Sequence, residues 1–154
     1  MSAGDAGWML SFSSLLGIAG SFVAPVIVGR RVRSGTLAVL GAVLCALAYA
    51  GLLTAPVGAA YLWMSLLGLG QGAAISLALL FIVQRAPDAR HVAPLSSMAQ
   101  CFGYILAATG PAVLGAVHDA SHDWTLPVVL LLVLLVPQVA VGLGAARNRH
   151  VAGR

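Results

Sequence analysis

The chain has very little charge. Lysine and glutamate are absent altogether, and the fixed charge comes from eight arginines and four aspartates. Charged residues make up 8% of the sequence, against about 25% in a soluble domain. That is too little to cover a water-facing surface. Cysteine is scarce as well. Cys45 and Cys101 each sit inside an apolar run, where they read as small packing residues rather than a disulfide or a metal pair. No Ser–His–Asp constellation, phosphate loop or pair of carboxylates inside an apolar run is visible. The reading is therefore not an enzyme, with no cofactor and no metal.

What remains is 60% hydrophobic, with a mean hydropathy of +1.00. Five apolar segments can be marked, at about 7–29, 35–54, 59–84, 92–117 and 125–145, and none contains Asp, Glu, Lys or Arg. A hydrocarbon core of about 30 Å needs about 20 apolar residues as helix. A charge at a helix centre costs about 2.5–3.5 kcal/mol on insertion scales. The expected fold class is all-α, an integral membrane bundle of five transmembrane helices in one domain, 1–154.

The arginines test that count. Arg30, Arg31 and Arg33 follow the first segment, Arg85 and Arg90 follow the third, and Arg147, Arg149 and Arg154 follow the fifth. Five alternating spans put all eight on one side. The positive-inside rule then sets the N-terminus outside and the C-terminus in the cytoplasm of a plasma (inner) membrane. Arginine grouped this way reads as a topology signal, and no nucleic-acid partner is expected. Basic residues follow the first apolar run rather than precede it, which is the reverse of a cleaved signal peptide.

Within the segments, polar and small residues are unevenly spread. The third, YLWMSLLGLGQGAAISLALLFIV, carries Gln71 among Gly68, Gly70 and Gly72. Ser13, Gly17 and Ser21 share a face of the first segment, and Ala99, Gly103 and Ala107 share one of the fourth. Small stripes of this kind let membrane helices approach closely. Segments two and five are nearly featureless and suit a lipid-facing rim. Gln71, Gln100 and Tyr104 are the candidate solute-binding residues, because a buried amide offers donor and acceptor together. An interhelical hydrogen bond is the competing role. Ser11, Ser14, Ser76, Ser96 and Ser97 could line a path or bond back to their own helix. Pro94 and Pro127 fall in first turns, whereas Pro25, Pro111 and Pro137 lie inside spans. Gly110–Pro111 is the candidate hinge. The repeat His118, Asp119, His122 and Asp123 reads as a short outer loop. Its spacing fits no strong metal motif, and His118 with Asp119 is the candidate pH-sensitive outer gate.

The runs LGLGQGAAISLALLFIVQRAPD and LSSMAQCFGYILAATGPAVLGAVHDASHDWTLPVVLLL resemble the last three helices of major facilitator superfamily transporters. They are most similar to the branch that includes cyanate and nitroimidazole transporters. The opening AGWMLSFSSLLGIAGSFVAPVIVGRR resembles that branch's eighth helix and its cytoplasmic exit. The resemblance implies a twelve-helix fold in two halves, of which the five segments correspond to helices eight to twelve. It places segments one, three and four toward the cavity and two and five at the rim. It also puts Gly29, Arg30 and Arg31 where the family's cytoplasmic loop motif would recur, without its usual acidic member. It implies a secondary transporter for a small anion or polar organic solute such as cyanate-like compounds. The expected partners are the lipid bilayer, a small-molecule solute and the N-terminal transporter half. A C-terminal fragment, a truncated frame and a piece needing another chain all fit. Alternatives are a non-transporting membrane subunit or remnant that packs on other helices, and a small homodimeric exporter.

Overall fold

The structure, a computed structural model, describes residues 3–30, 33–55 and 57–146. Arg31, Arg147, Arg149 and Arg154 lie outside the described residues, as do the side chains of residues 29 and 30. The described residues form five helices: α1 (Ala3–Arg30), α2 (Ser34–Thr54), α3 (Ala60–Arg85), α4 (Ala89–Ser121) and α5 (Thr125–Ala146). All five are long and apolar enough to cross a membrane. Length and composition thus make each of the five described helices a candidate span.

α3 is the central helix, and its glycines explain why. Residues four apart share a face, while residues two apart are turned by about 200°. Gly68 and Gly72 therefore face one neighbour and Gly70 another. A β-carbon on Gly68 would strike the Ser13 carbonyl of α1, and one on Gly72 would strike the Gly17 carbonyl. A β-carbon on Gly70 would instead come within 2.7 Å of Cys45 Sγ and the Gly41 carbonyl of α2. The same device recurs in reverse. Gly20 of α1 is pressed on the Leu69 backbone, and Gly51 of α2 lies flat against the Trp63 ring. Without a hydrophobic drive between helices in lipid, such backbone contact is the main source of association.

These contacts fix direction. On α1 and α3 the pairs advance together, from Ser13 with Gly68 to Ala24 with Leu77 and Phe81, so the helices are parallel. On α2 and α3 they run in opposition, from Gly41 with Gly70 to Gly51 with Trp63. α5 opposes α2 through Gly35 with Ala146 and Ala38 with Gly142. The ends of α1, α3 and α5 and the starts of α2 and α4 thus share one end of the bundle. Arg33, Arg85 and Arg90 lie there. Arg85 donates to the Ala145 carbonyl at 2.5 Å, tying the ends of α3 and α5 together.

α2 is less featureless than its apolar sequence suggests. Leu40, Val43 and Leu47 are exposed on one side, but Gly41, Cys45 and Ala48 form a buried small-residue stripe on the other. α4 differs from all the others, having no buried residue. Its small stripe finds no neighbour among the described residues: a β-carbon on Gly103 would meet nothing within 4 Å.

Both boundaries of α4 depart from the sequence reading. α4 starts at Ala89, because Asp88 caps it by accepting from the backbone N–H of Arg90 at 2.8 Å and of His91 at 3.2 Å. Pro94 consequently lies in the second turn rather than the first. At the other end α4 continues to Ser121, and His122, at φ 53°, ends it in the left-handed conformation. His118 and Asp119 are therefore helical, and the connecting loop is only residues 122–124.

Candidate functional site

A groove of about 490 Å³ runs between α1 and α3. Leu10, Ile18, Met64 and Ile75 contribute apolar wall, and Ser13 and Gln71 contribute polar edge. Gln71 is placed by its neighbours. Gly70 and Gly72 press against helices on opposite sides of α3, and residue 71 falls between those directions, about 100° from each. Its side chain is exposed on the open side of the bundle.

The serines divide into two kinds. Ser14 donates to the Leu10 carbonyl at 2.9 Å and Ser21 to the Ile18 carbonyl at 2.7 Å. Ser11 and Ser76 bond back to Gly7 and Ala73 in the same way. A hydroxyl satisfied by its own helix has less to offer a ligand. Ser13, buried at the groove, makes no such bond among the described residues, and it lies against Gly68. Its hydroxyl and the Gln71 carboxamide are the groove's best-placed hydrogen-bonding groups.

Tyr49 was not signalled by the sequence, because it sits in an otherwise apolar segment. Its phenol on α2 lies within interaction range of the Gln71 carboxamide. A phenol hydroxyl in the second half of an apolar helix was the available signal.

Gln100 and Tyr104 do not join Gln71 in this groove. Both are exposed on α4, and Gln100 donates to Ser96 Oγ at 2.8 Å along its own helix. α4 runs through Gly110 and Pro111 without a break, and Gly110 has open space around its α-carbon. At the far end of α4, His118 stacks on Trp124 with ring centroids 4.1 Å apart and planes at 18°. That stack closes the α4–α5 corner. Asp119 is exposed beside it.

Thirty-three residues make α4 about 50 Å long, against a hydrocarbon core of about 30 Å. Its first and last turns therefore reach past the hydrocarbon. Asp88 at one end and Asp123 at the other are in polar surroundings. The His91 side chain, 2.8 Å from Asp88, and the N–H groups of Arg90 and His91 hold the Asp88 carboxyl below its usual range. The side chain and backbone of Thr125 do the same for Asp123.

No family model matches the chain, and no solved structure matches it. Three curated proteins do match. Over 151 residues, 95% of the chain, it is 40% identical to an uncharacterized transporter of Bacillus subtilis, covering 37% of that protein. Over 90 residues, 58% of the chain, it is 46% identical to a putative anionic 4-hydroxy-benzoate permease of Thauera aromatica, covering 55% of it. Over 115 residues, 75% of the chain, it is 39% identical to the 2-nitroimidazole transporter of Escherichia coli, covering 29% of it. The chain thus spans between 29% and 55% of the length of these relatives. On these relationships the chain is similar, over a stretch that matches part of their length, to major-facilitator-type transporters of the nitroimidazole and cyanate branch.

Proposed function

We propose that the chain forms one side of a solute pathway in a secondary transporter, equivalent to the C-terminal helices of its relatives. The single observation that carries the reading is Gln71, an amide presented on the open side of a membrane bundle beside Ser13. The relatives named for 2-nitroimidazole and for 4-hydroxy-benzoate take small ring compounds with polar substituents. A groove with apolar walls and two hydrogen-bonding groups suits a small polar organic solute or anion of that kind. Gln100 and Tyr104 join the pathway if α4 swings toward α1, with Gly110–Pro111 as the bending point. His118 and Asp119 stand at its outer end. The N-terminal half of a complete transporter supplies the opposite wall, against the unburied face of α4. The arginine-bearing end faces the cytoplasm of the plasma membrane and the N-terminus faces outward.

The test is uptake of labelled 2-nitroimidazole, 4-hydroxybenzoate and cyanate into vesicles, comparing this chain with a complete relative. In the complete relative, replacing the residue matching Gln71 by Ala should lower uptake at unchanged membrane abundance. Unchanged uptake removes Gln71 from the pathway.

A packing subunit without transport is the second reading. Two observations favour it: the Gln71 amide approaches Tyr49, and the Gln100 amide is bonded to Ser96. Under that reading Gln71→Ala lowers thermal stability and leaves uptake by the complete relative unaffected.

A further inference from the structure

We propose that a cleft between α4 and the rest of the bundle holds one acyl chain of an anionic phospholipid, with its phosphate at Arg85. The cleft, of about 470 Å³, is separate from the α1–α3 groove and lies toward the arginine-bearing end. Ala38, Phe81, Ile82, Ala99, Val141 and Ala145 are among its lining residues, and Gln138, which is exposed, is its one amide. It lies open because α4 buries no residue against its neighbours.

Three observations select the occupant. The wall is apolar, so a solute carrying several polar groups would leave them unsatisfied there. The lining residues of α3 run from Ala74 to Ile82, about 12 Å along the helix. One leaflet of hydrocarbon is about 15 Å deep, half of the core, so the cleft has the length of a single acyl chain in one leaflet. The third observation is charge. The Arg85 guanidinium is bonded to the carbonyl of Ala145, itself a lining residue. An arginine fork is well matched to phosphate oxygens. Arg33 and Arg90 lie at the same end but are not among the cleft's lining residues, so they serve as its controls.

The test is electron paramagnetic resonance of spin-labelled lipids in phosphatidylcholine vesicles containing this chain. A motionally restricted component should favour spin-labelled phosphatidylglycerol over spin-labelled phosphatidylcholine by about fivefold, the factor for one basic residue at an anionic surface. Arg85→Gln should bring the two lipids to equality, and Arg85→Lys should keep most of the preference. Ala78→Trp, which fills the cleft and leaves every arginine in place, should remove the preference as well. Should Arg85→Gln fail to fold, a double variant Arg33→Gln, Arg90→Gln tests the same point, since it should leave the preference in place. Equal restriction of the two lipids by the unaltered chain overturns the proposal. So does a preference that survives Ala78→Trp, which would put the lipid on the outer arginines. A restricted component no larger than that of the Ala78→Trp chain means that the cleft is closed in a bilayer, and this also overturns it.

Discussion

The carbonyl of Gly17 in α1 occupies the place where a β-carbon on Gly72 of α3 would have to be. Backbone meets backbone there, and neither side can rotate away as a long side chain would. The α1–α3 groove, and the position of Gln71 on its edge, depend on that contact.

Gly72→Ala should therefore separate α1 from α3. Overpacking of this kind costs about 1–3 kcal/mol, and Gly68→Ala should behave alike. Gly103→Ala on α4 is the control, since its β-carbon would enter open space. That substitution should be neutral or stabilise the chain by up to about 1 kcal/mol through helix propensity. Thermal unfolding in detergent measures all three.

Ser13→Ala and Gln71→Leu each remove one hydrogen-bonding group from the groove. A typical hydrogen bond contributes about 0.5–1.5 kcal/mol, so each should weaken solute binding by roughly two- to tenfold. Tyr49→Phe, which leaves Gln71 in place but removes its neighbour's hydroxyl, should have a smaller effect. Equilibrium binding of 2-nitroimidazole to the complete transporter carrying the matched substitutions reads the order. Equal effects at Ser13 and at Ser14, whose hydroxyl is bonded to Leu10, would contradict the distinction between them.

Asp88 and Asp123 make stability depend on pH at opposite ends of the bundle. Contact with His91 and the N–H groups of Arg90 and His91 depresses the Asp88 carboxyl, and Thr125 depresses that of Asp123. A carboxyl depressed in the folded state stabilises it above the unfolded pKa, and the contribution fades as pH falls through the folded value. Protection of the Arg90 and His91 amides, measured relative to their intrinsic exchange rates, should fall once the pH drops below about 4, the ordinary carboxylate value. Asp88→Asn should exchange faster at neutral pH and lose that dependence. Protection that stays level down to pH 2 would show that the cap does not hold the first turn.

Direction along the bundle can be read chemically. In a background lacking Cys45 and Cys101, cysteines replacing Arg33 and Arg90 should react with an impermeant thiol reagent from one side of the membrane. Cysteines replacing Gly58 and Asp123 should react from the other. A reaction of Arg33→Cys and Arg90→Cys from opposite sides would break the alternation of spans.

Much of this was legible in residues alone. Five uncharged runs separated by arginines at alternate connections are a strong constraint, because an ionised group in hydrocarbon is far costlier than any local propensity. The count of helices and the grouping of Arg33, Arg85 and Arg90 at one end follow from it. Helix ends were less legible. Asp88 and the left-handed His122 set the limits of α4 through caps that lie outside the apolar run, so hydropathy stopped short of both. The loop expected at His118 and Asp119 is instead the last turn of that helix.

Membership of a five-span bundle, and the presence of Gln71 as a rare amide within it, were determined by sequence, since both depend only on which side chains lipid tolerates. Which residues meet was decided by tertiary structure. Sequence spacing alone could not say that Gly68 and Gly72 serve α1 while Gly70 serves α2. Nor could it say that Gln100 and Tyr104 stand on an unburied helix apart from Gln71. Helix faces are a matter of local geometry. The neighbour that each face acquires depends on how whole helices pack, and between near-equivalent small-residue stripes only backbone-to-backbone fit selects the pair.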